Sequence, residues 1–257
     1  MYFFKSIAKF SQYFHRLTKS TVHIFFVFLL ITPLFSYCVI INLEFPLKVS
    51  QVPAKADVEK QQAFLEEELK PRLEEAKEGK RQLLFVDASH FVLAAFLGYL
   101  WSFVRVFIKS PSGRQRYNVL GAFNAITHEL VTITNDAYIN AATVIELMEK
   151  LLSIYGSQML TLVMDNARYQ RCAAVMAYAR EHGIELLFLP SYSPNLNLIE
   201  RLWGFVKRKV LYSKYYENFT LFKTAINDCL RDVGSKYKNE ISSLMSLKFQ
   251  ILHNANL

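Results

Sequence analysis

Residues 160–165 read Leu-Thr-Leu-Val-Met-Asp, an apolar run that closes on a carboxylate. Residues 83–87, Leu-Leu-Phe-Val-Asp, repeat the pattern. Short apolar runs bounded by polar residues are typical of buried β-strands. A carboxylate at the end of such a strand is held rigidly and still reaches the edge of the sheet. If the two strands are neighbours, Asp87 and Asp165 converge, and two hard oxygen ligands at one point suit Mg²⁺ or Mn²⁺.

The order of the elements around these two strands predicts the fold. Strands come first, and Ser-Pro-Ser-Gly at 110–113 marks a turn between two of them. The expected strands are 83–87, 103–109, 116–124, 129–134, 160–164 and 184–189, and the expected helices are 140–155, 170–182, 197–211 and 219–233. A meander followed by alternating helices and strands predicts an α/β, ribonuclease-H-like fold. Its mixed sheet combines an antiparallel meander with parallel strands and is flanked by helices.

A third carboxylate begins a helix further along the chain. Residues 191–203 read Ser-Tyr-Ser-Pro-Asn-Leu-Asn-Leu-Ile-Glu-Arg-Leu-Trp, and Pro194 and Asn197 mark a loop that turns into a helix. Glu200 lies in the first turn, beside the apolar stripe that faces the core, where it could lean over the sheet edge. Trp203 belongs to that stripe, and its simplest interpretation is a core residue.

Each of these acidic residues also has a purely structural interpretation. A lone Asp at a strand end is more often a turn or a helix cap than a ligand, and Glu200 could complete a capping pair with Asn197. Taken together in this order of elements, Asp87, Asp165 and Glu200 favour a catalytic site. Cutting a DNA phosphodiester requires an activated water and a stabilised leaving oxygen, and two metal ions about 3.5–4 Å apart can serve both. We therefore expect two Mg²⁺ or Mn²⁺ ions.

Three motifs resemble a known family. They are Phe-Val-Asp-Ala-Ser-His-Phe at 85–91, Leu-Val-Met-Asp-Asn-Ala-Arg-Tyr-Gln at 162–170, and Tyr-Ser-Pro-Asn-Leu-Asn-Leu-Ile-Glu-Arg-Leu-Trp at 192–203. With 34 residues between Asp165 and Glu200, the chain resembles bacterial insertion-sequence transposases of the mariner-like DDE superfamily, from about Val52 to Leu230. The resemblance implies an Asp-Asp-Glu triad at Asp87, Asp165 and Glu200. It also implies divalent metal, cleavage and strand transfer at transposon ends, and a homodimer or larger assembly on double-stranded DNA.

The first fifty residues depart from that family, whose members usually begin with a helix-turn-helix that reads DNA. Residues 20–43 contain no Asp, Glu, Lys or Arg, and about 20 apolar residues can cross a bilayer. Segment 1–50 is therefore either a degraded DNA-binding region or a genuine apolar helix or anchor. We disfavour the membrane because the remaining sequence is that of a cytoplasmic nucleic-acid enzyme. Residues 51–80 are expected to form a charged helical linker, 81–240 the catalytic domain and 241–257 a C-terminal tail.

The composition bears on partners. A net charge of +8 and a pI of about 9.3 fit a polyanion such as DNA, and 52% hydrophobic residues exclude a disordered chain. Three scattered cysteines argue against a disulfide framework or a zinc site. The candidate DNA contacts, each of which could instead be a solvated or structural polar residue, are Arg105, Lys109, Arg114, Arg116, Asn166, Arg201, Lys207, Arg208 and Lys209. The alternative function is a catalytically silent or truncated transposase remnant that only binds DNA.

Overall fold

The computed structural model describes residues 57–93, Phe107 and 115–251, together with the backbone of two strands at 23–32 and 35–44. The chain divides into two compact units, Met1–Gln51 and Val52–Leu257. In the first unit, β1 (His23–Thr32) pairs antiparallel with β2 (Phe35–Glu44). These strands stand where one interpretation of the sequence placed an apolar helix. Among the described residues, no helix combines the length and the apolar character needed to span a bilayer.

The second unit contains the predicted alternation of strands and helices. Its strands are β3 (Gln82–Leu93), β4 (Gln115–Asn124), β5 (Leu130–Asn135), β6 (Leu160–Met164) and β7 (Glu185–Phe188). Its α-helices are α1 (Val58–Ala63), α2 (Lys70–Lys77), α3 (Ala141–Tyr155), α4 (Ala173–Glu181), α5 (Ile199–Val210), α6 (Phe219–Arg231) and α7 (Lys238–Leu244). The strand expected at 103–109 falls outside the described residues except for Phe107, which is exposed. The helix expected from residue 170 begins three residues later.

The five strands of this unit form one mixed sheet in the order β5-β4-β3-β6-β7. β3, β4 and β5 pair antiparallel as a meander, whereas β6 pairs parallel with both β3 and β7. Helices cover both faces of the sheet. This is the ribonuclease-H-like arrangement that the order of elements predicted.

Side chains alternate across a strand, so each face of the sheet has its own hydrophobic core. Leu84 and Leu162 belong to one core, which α3 and α4 cover. Phe85 and Val163 belong to the other, which the 64–77 helical segment, α5, α6 and α7 cover. This second face is called the α5 face below, and it is the face that carries the candidate functional side chains.

The charged segment before the sheet packs against the catalytic domain as part of it. Between α1 and α2 the helix continues as a π-helix at Phe64–Leu69, which ends two residues before Pro71. Proline has no N–H to donate. The apolar face that the sequence predicted is buried in the core of the α5 face, through Phe64, Leu65, Leu69 and Leu73. On the polar side, Arg72 and Arg81 both bind the Glu185 carboxylate of β7. The expected linker is therefore an integral layer of the domain.

The C-terminal residues also belong to the domain, although a tail was expected from residue 241. That boundary falls inside α7, whose Ile241 is buried with Met245. Beyond the helix, the Phe249 ring lies 6.0 Å from the ring of Phe85 in β3. The described chain thus packs on the α5 face as far as Ile251.

Candidate active site

The first two carboxylates lie side by side on neighbouring parallel strands. The last register pair between β3 and β6 is Val86 with Met164, so Asp87 and Asp165 are the next residues on each strand. Both continue the alternation that puts Phe85 and Val163 on the α5 face. The convergence expected from the sequence therefore follows from the register.

The expectation that strand β3 ends at Asp87 is wrong. Its parallel pairing with β6 stops there, but its antiparallel pairing with β4 continues to Leu93. Asp87 is therefore held inside a ladder, opposite Gly121 of β4. A carboxylate within a paired strand has a more firmly fixed backbone than one at a frayed strand end.

The third carboxylate is carried onto the same face by α5. The helix follows a 3₁₀ turn at Pro194–Leu196 and begins at Ile199, so Glu200 lies in its first turn. The buried stripe of α5 is that predicted from the sequence, and it packs into the core of the α5 face through Ile199, Leu202, Trp203, Val206 and Val210. Glu200 itself is exposed at the rim.

A tryptophan connects this helix to the first aspartate. The indole Nε1–H of Trp203 donates a hydrogen bond to Oδ2 of Asp87, at 3.1 Å. Gly121 leaves the space that the indole occupies: a Cβ at this position would lie 2.8 Å and 2.9 Å from its Cη2 and Cζ2 atoms. Glu200 lies three residues before Trp203, one turn along the same side of the helix.

The carboxylates interact electrostatically. Burial and the negative charges of Glu200 and Asp165 together raise the pKa of Asp87 to about 7, although hydrogen bonds from the Ala88 backbone and from the Trp203 indole act to lower it. The pKa of Glu200 is also raised, mainly by partial desolvation. The positive charge of Lys207 lowers this pKa, and the negative charge of Asp165 raises it. Each of the two shifts includes a contribution from another member of the triad, so the three side chains share one electrostatic environment.

The loop after β6 is organised by its own side chains. Oδ1 of Asp165 accepts a hydrogen bond from the backbone N–H of Ala167, at 3.1 Å. Asn166 donates to the Leu189 carbonyl beyond β7 and accepts from Arg171, at 2.9 Å. Its amide therefore joins two neighbouring strand ends, and it does not cap α4, whose N-cap is Cys172.

A family model described as DDE superfamily endonuclease matches residues 82–223, more than half of the chain. The chain is therefore a member of the DDE superfamily of endonucleases. No curated protein matches it in sequence.

Among solved structures, this DDE endonuclease is similar to Mos1 transposase in three complexes. The paired-end complex with the left transposon end is 14% identical, covers 79% of this chain and 68% of Mos1, and has a TM-score of 0.51. The match to the strand transfer complex has 14% sequence identity, covers 79% of this chain and 67% of the Mos1 chain, and has a TM-score of 0.51. The match to the pre-cleavage transpososome has 12% sequence identity, covers 79% of this chain and 68% of the Mos1 chain, and has a TM-score of 0.50. At these identities, the likeness establishes the ribonuclease-H-like fold.

The basic residues of α5 fall into two classes in this DDE endonuclease. Arg201 is bonded within the protein, donating to the carbonyls of Ser246 at 2.6 Å and Lys248 at 3.0 Å. Lys209 is paired with Glu240 of α7 at 3.0 Å. Lys207 and Arg208, by contrast, are exposed. Of the predicted DNA contacts on α5, the exposed pair is therefore the one left accessible, and the contact itself stays a prediction.

The remaining candidates for DNA contact lie elsewhere. Arg116 is exposed near the start of β4. Arg105, Lys109 and Arg114 lie outside the described residues.

The chemistry of the donor set fits a hard divalent cation. Burial, together with like-charge repulsion, raises the pKa of Asp87 and Glu200, and a cation bound beside these carboxylates would favour their charged forms. Within the part of the chain that the structure describes, no three His, Cys, Asp or Glu side chains lie close enough to hold one ion. Joint coordination therefore requires side-chain movement, which the exposed Glu200 can supply through its rotatable bonds.

Sequence reasoning missed two residues of this site. Trp203 was assigned to the core, which is correct, but its hydrogen bond to Asp87 was not foreseen. Its spacing of three from Glu200 on an amphipathic helix was the available signal. Gly121 gave no local signal, because its pairing with Asp87 joins segments that are distant in sequence.

Proposed function

We propose that this DDE endonuclease is a transposase that cuts DNA at transposon ends and joins the released 3′ ends to target DNA. The proposal is supported above all by the positions of Asp87 and Asp165, each of which directly follows the last paired residue between two parallel strands. Helix α5 carries Glu200 onto the same face of the sheet. Strand β3 holds Asp87 and the end of β6 holds Asp165, whereas the side chain of the exposed Glu200 can adjust. This suits a site that handles first a water and then a DNA hydroxyl as nucleophile.

Asp87, Asp165 and Glu200 would hold one or two Mg²⁺ or Mn²⁺ ions. When bound, such ions lower the pKa of a water and stabilise the leaving oxygen of a phosphodiester. The protein's part is to position the carboxylates and to orient the DNA backbone beside them. Mos1 transposase has been solved in a paired-end complex with Mn, and the proposed metal requirement is of the same kind.

DNA would approach along the exposed face of α5. Lys207 lies near enough to Glu200 to lower the pKa of its carboxyl, and Arg208 follows it on the surface. Gly204, one turn after Glu200, is exposed and has open space around the position of a Cβ. A polyanionic backbone could therefore contact the helix between its acidic start and its basic end. By analogy with the paired-end and strand transfer complexes of Mos1, we propose that two or more copies assemble on double-stranded DNA.

Nicking of duplex DNA by the purified chain tests the catalytic assignment. We expect Mn²⁺-dependent nicking, reduced to background by Asp165→Asn or Glu200→Gln, because each substitution keeps the size of the side chain and removes its charge. Glu149→Gln, at an exposed position of α3, is the matched control and should nick like the wild type. Wild-type nicking by Asp165→Asn would refute the assignment. Duplex binding without nicking by the wild type, at any Mn²⁺ or Mg²⁺ concentration, would identify the binding-only remnant instead.

Salt-dependent DNA binding tests the basic end of α5. The logarithm of the DNA-binding constant falls linearly with the logarithm of the salt concentration, and each phosphate contact removed should make this decline shallower by about 1. We expect this change for Lys207→Gln and for Arg208→Gln, uniformly across DNA sequences. Arg180→Gln, at an exposed position of α4 on the opposite face of the sheet, should leave the slope unchanged. Equal slopes for all four proteins would remove this surface from the DNA path.

A further inference from the structure

We propose that Trp203 is a positioning residue of the metal site, in that its indole N–H orients the Asp87 carboxylate and fixes α5, with Glu200, against strand β3. The inference rests on the proposed function, since it assumes that Asp87 and Glu200 bind metal. It assigns to a core tryptophan a role that hydrophobic packing alone does not require.

The hydrogen bond itself is the first observation. Trp203 is 1% exposed, and its Nε1–H, which can only donate, is directed at Oδ2 of Asp87 at 3.1 Å. A carboxylate held by such a bond no longer rotates freely, so one orientation is selected before a metal arrives. Hydrogen bonds of this kind to ligating carboxylates are a general way of tuning metal affinity.

The space made for the indole is the second observation. Gly121 lies opposite Asp87 in the β3–β4 ladder, and a Cβ there would come within 2.9 Å of two indole carbons and 3.1 Å of the Ile199 Cδ1 atom. Glycine in a strand interior weakens the strand and often marks the close approach of another group. Here the glycine allows the six-membered ring of the indole to lie against β4, so that the N–H reaches β3.

The position of Trp203 within α5 extends the consequence to the third carboxylate. Glu200 precedes it by three residues, so the same rigid helical turn carries both side chains. The indole is thus anchored at Asp87 by its N–H and at Gly121 by its ring. A helix anchored in this way keeps Glu200 at a fixed register relative to Asp87. Loss of the anchor should weaken metal binding through both carboxylates.

Direct Mn²⁺ binding to the full chain without DNA, measured from the free-ion signal in electron paramagnetic resonance, tests this role. Trp203→Phe removes the N–H together with the outer edge of the indole that lies against Gly121, and it keeps an aromatic ring in the core. We expect its Mn²⁺ affinity to fall about 10-fold or more. Phe222→Leu, a substitution in the core of the α5 face at a side chain that is also 1% exposed, controls for packing loss. It should lose stability in EDTA while binding Mn²⁺ like the wild type.

Gly121→Ala is the second variant, because it displaces the indole without altering it. We expect Gly121→Ala to weaken Mn²⁺ binding as well. The double variant Gly121→Ala/Trp203→Phe should then have the same Mn²⁺ affinity as whichever single variant binds Mn²⁺ more weakly. Such non-additivity is the signature of two residues acting through one contact. Losses that add in the double variant would overturn the proposal. The proposal would also be overturned if Trp203→Phe bound Mn²⁺ with the wild-type affinity while Asp165→Asn no longer bound it. If Asp165→Asn and Glu200→Gln also bind Mn²⁺ like the wild type, the proposed metal site itself fails.

Discussion

Among individual side chains, Asp87 makes the clearest compromise between stability and function. Its carboxyl is partly buried beside two like charges, which raises its pKa to about 7. A residue placed only for stability would be neutral there. Under the proposed function, this destabilising charge is the group that would bind a cation. Removing the charge should stabilise the metal-free protein.

We therefore predict that Asp87→Asn makes the metal-free protein more stable, by an amount that grows with pH. The unfolded carboxyl loses its proton near 3.8, whereas the folded one keeps it up to about pH 7. Between these values the folded state binds more protons, so wild-type stability falls as pH rises, by up to about 1.4 kcal/mol per pH unit. Asparagine removes this dependence, although Glu200 retains a weaker one of the same sign.

Urea denaturation in EDTA at pH 5, 6, 7 and 8 measures the difference. The free energy of unfolding of Asp87→Asn minus that of the wild type should widen from pH 5 to 7 and level off above 7. Glu149→Gln is the control and should follow the wild type at every pH. Parallel curves for Asp87→Asn and the wild type would show that the Asp87 carboxyl has an ordinary pKa in the folded state.

The sequence revealed the acidic residues better than the basic ones. Asp165 and Glu200 could be placed because a strand and an amphipathic helix have local periods that locate each of them. Arg201 and Lys209 appeared to be free cations, since nothing local indicates that they reach partners 45 and 31 positions away, respectively. Long side chains take their partners from tertiary structure, and a single sequence does not contain that information.

Among the helices and strands, α5 organises the site because it is fixed at several points along its length. Arg201, directly after Glu200, donates to the carbonyls of the segment that follows α7, and its guanidinium lies 5.8 Å from the Phe249 ring centre. Phe249 packs against Phe85 of β3. The C-terminal segment therefore links the start of α5 to the central strand.

We predict that Arg201→Ala destabilises the protein by about 2 kcal/mol, because it removes charge-assisted hydrogen bonds that are partly shielded from water. Amide hydrogen exchange should increase most in residues 246–250, because the carbonyls of Ser246 and Lys248 lose their donor. Arg231→Ala breaks an exposed pair with Asp228 and should change stability by no more than about 0.5 kcal/mol. Equal effects of the two substitutions on denaturant unfolding would mean that the C-terminal segment does not anchor α5.

Elements with a strong period were predictable, and those defined by pairing or packing were not. Strand β6 and helix α3 were located to within one residue, because their apolar patterns are regular. The continuation of β3 past Asp87 depends on β4, and that pairing is not visible locally. Helix α7 was missed because it has seven residues and no side-chain N-cap, so only its packing against the rest of the domain identifies it.

For the chain as a whole, the described cores lie within the 52–257 unit. All side chains of both hydrophobic cores come from residue 64 or later. The 58–77 helical segment contributes five buried apolar residues to the core of the α5 face, and its Arg72 forms an ion pair with Glu185 of β7. The segment that the sequence presented as a linker is therefore part of the core, and the boundary between the two units lies before it.

We predict that a fragment of residues 52–257 unfolds cooperatively by itself and retains metal-dependent nicking, whereas a fragment of residues 82–257 does not fold. The shorter fragment loses Phe64, Leu65, Leu69 and Leu73. Burial of each contributes about 1.5–3 kcal/mol, and their sum is comparable to the total stability of about 5–15 kcal/mol expected for a domain. Near-ultraviolet circular dichroism and urea unfolding distinguish the two outcomes. A cooperative transition in the 82–257 fragment would restore the linker interpretation, and its absence in the 52–257 fragment would make the first fifty-one residues part of the folding unit.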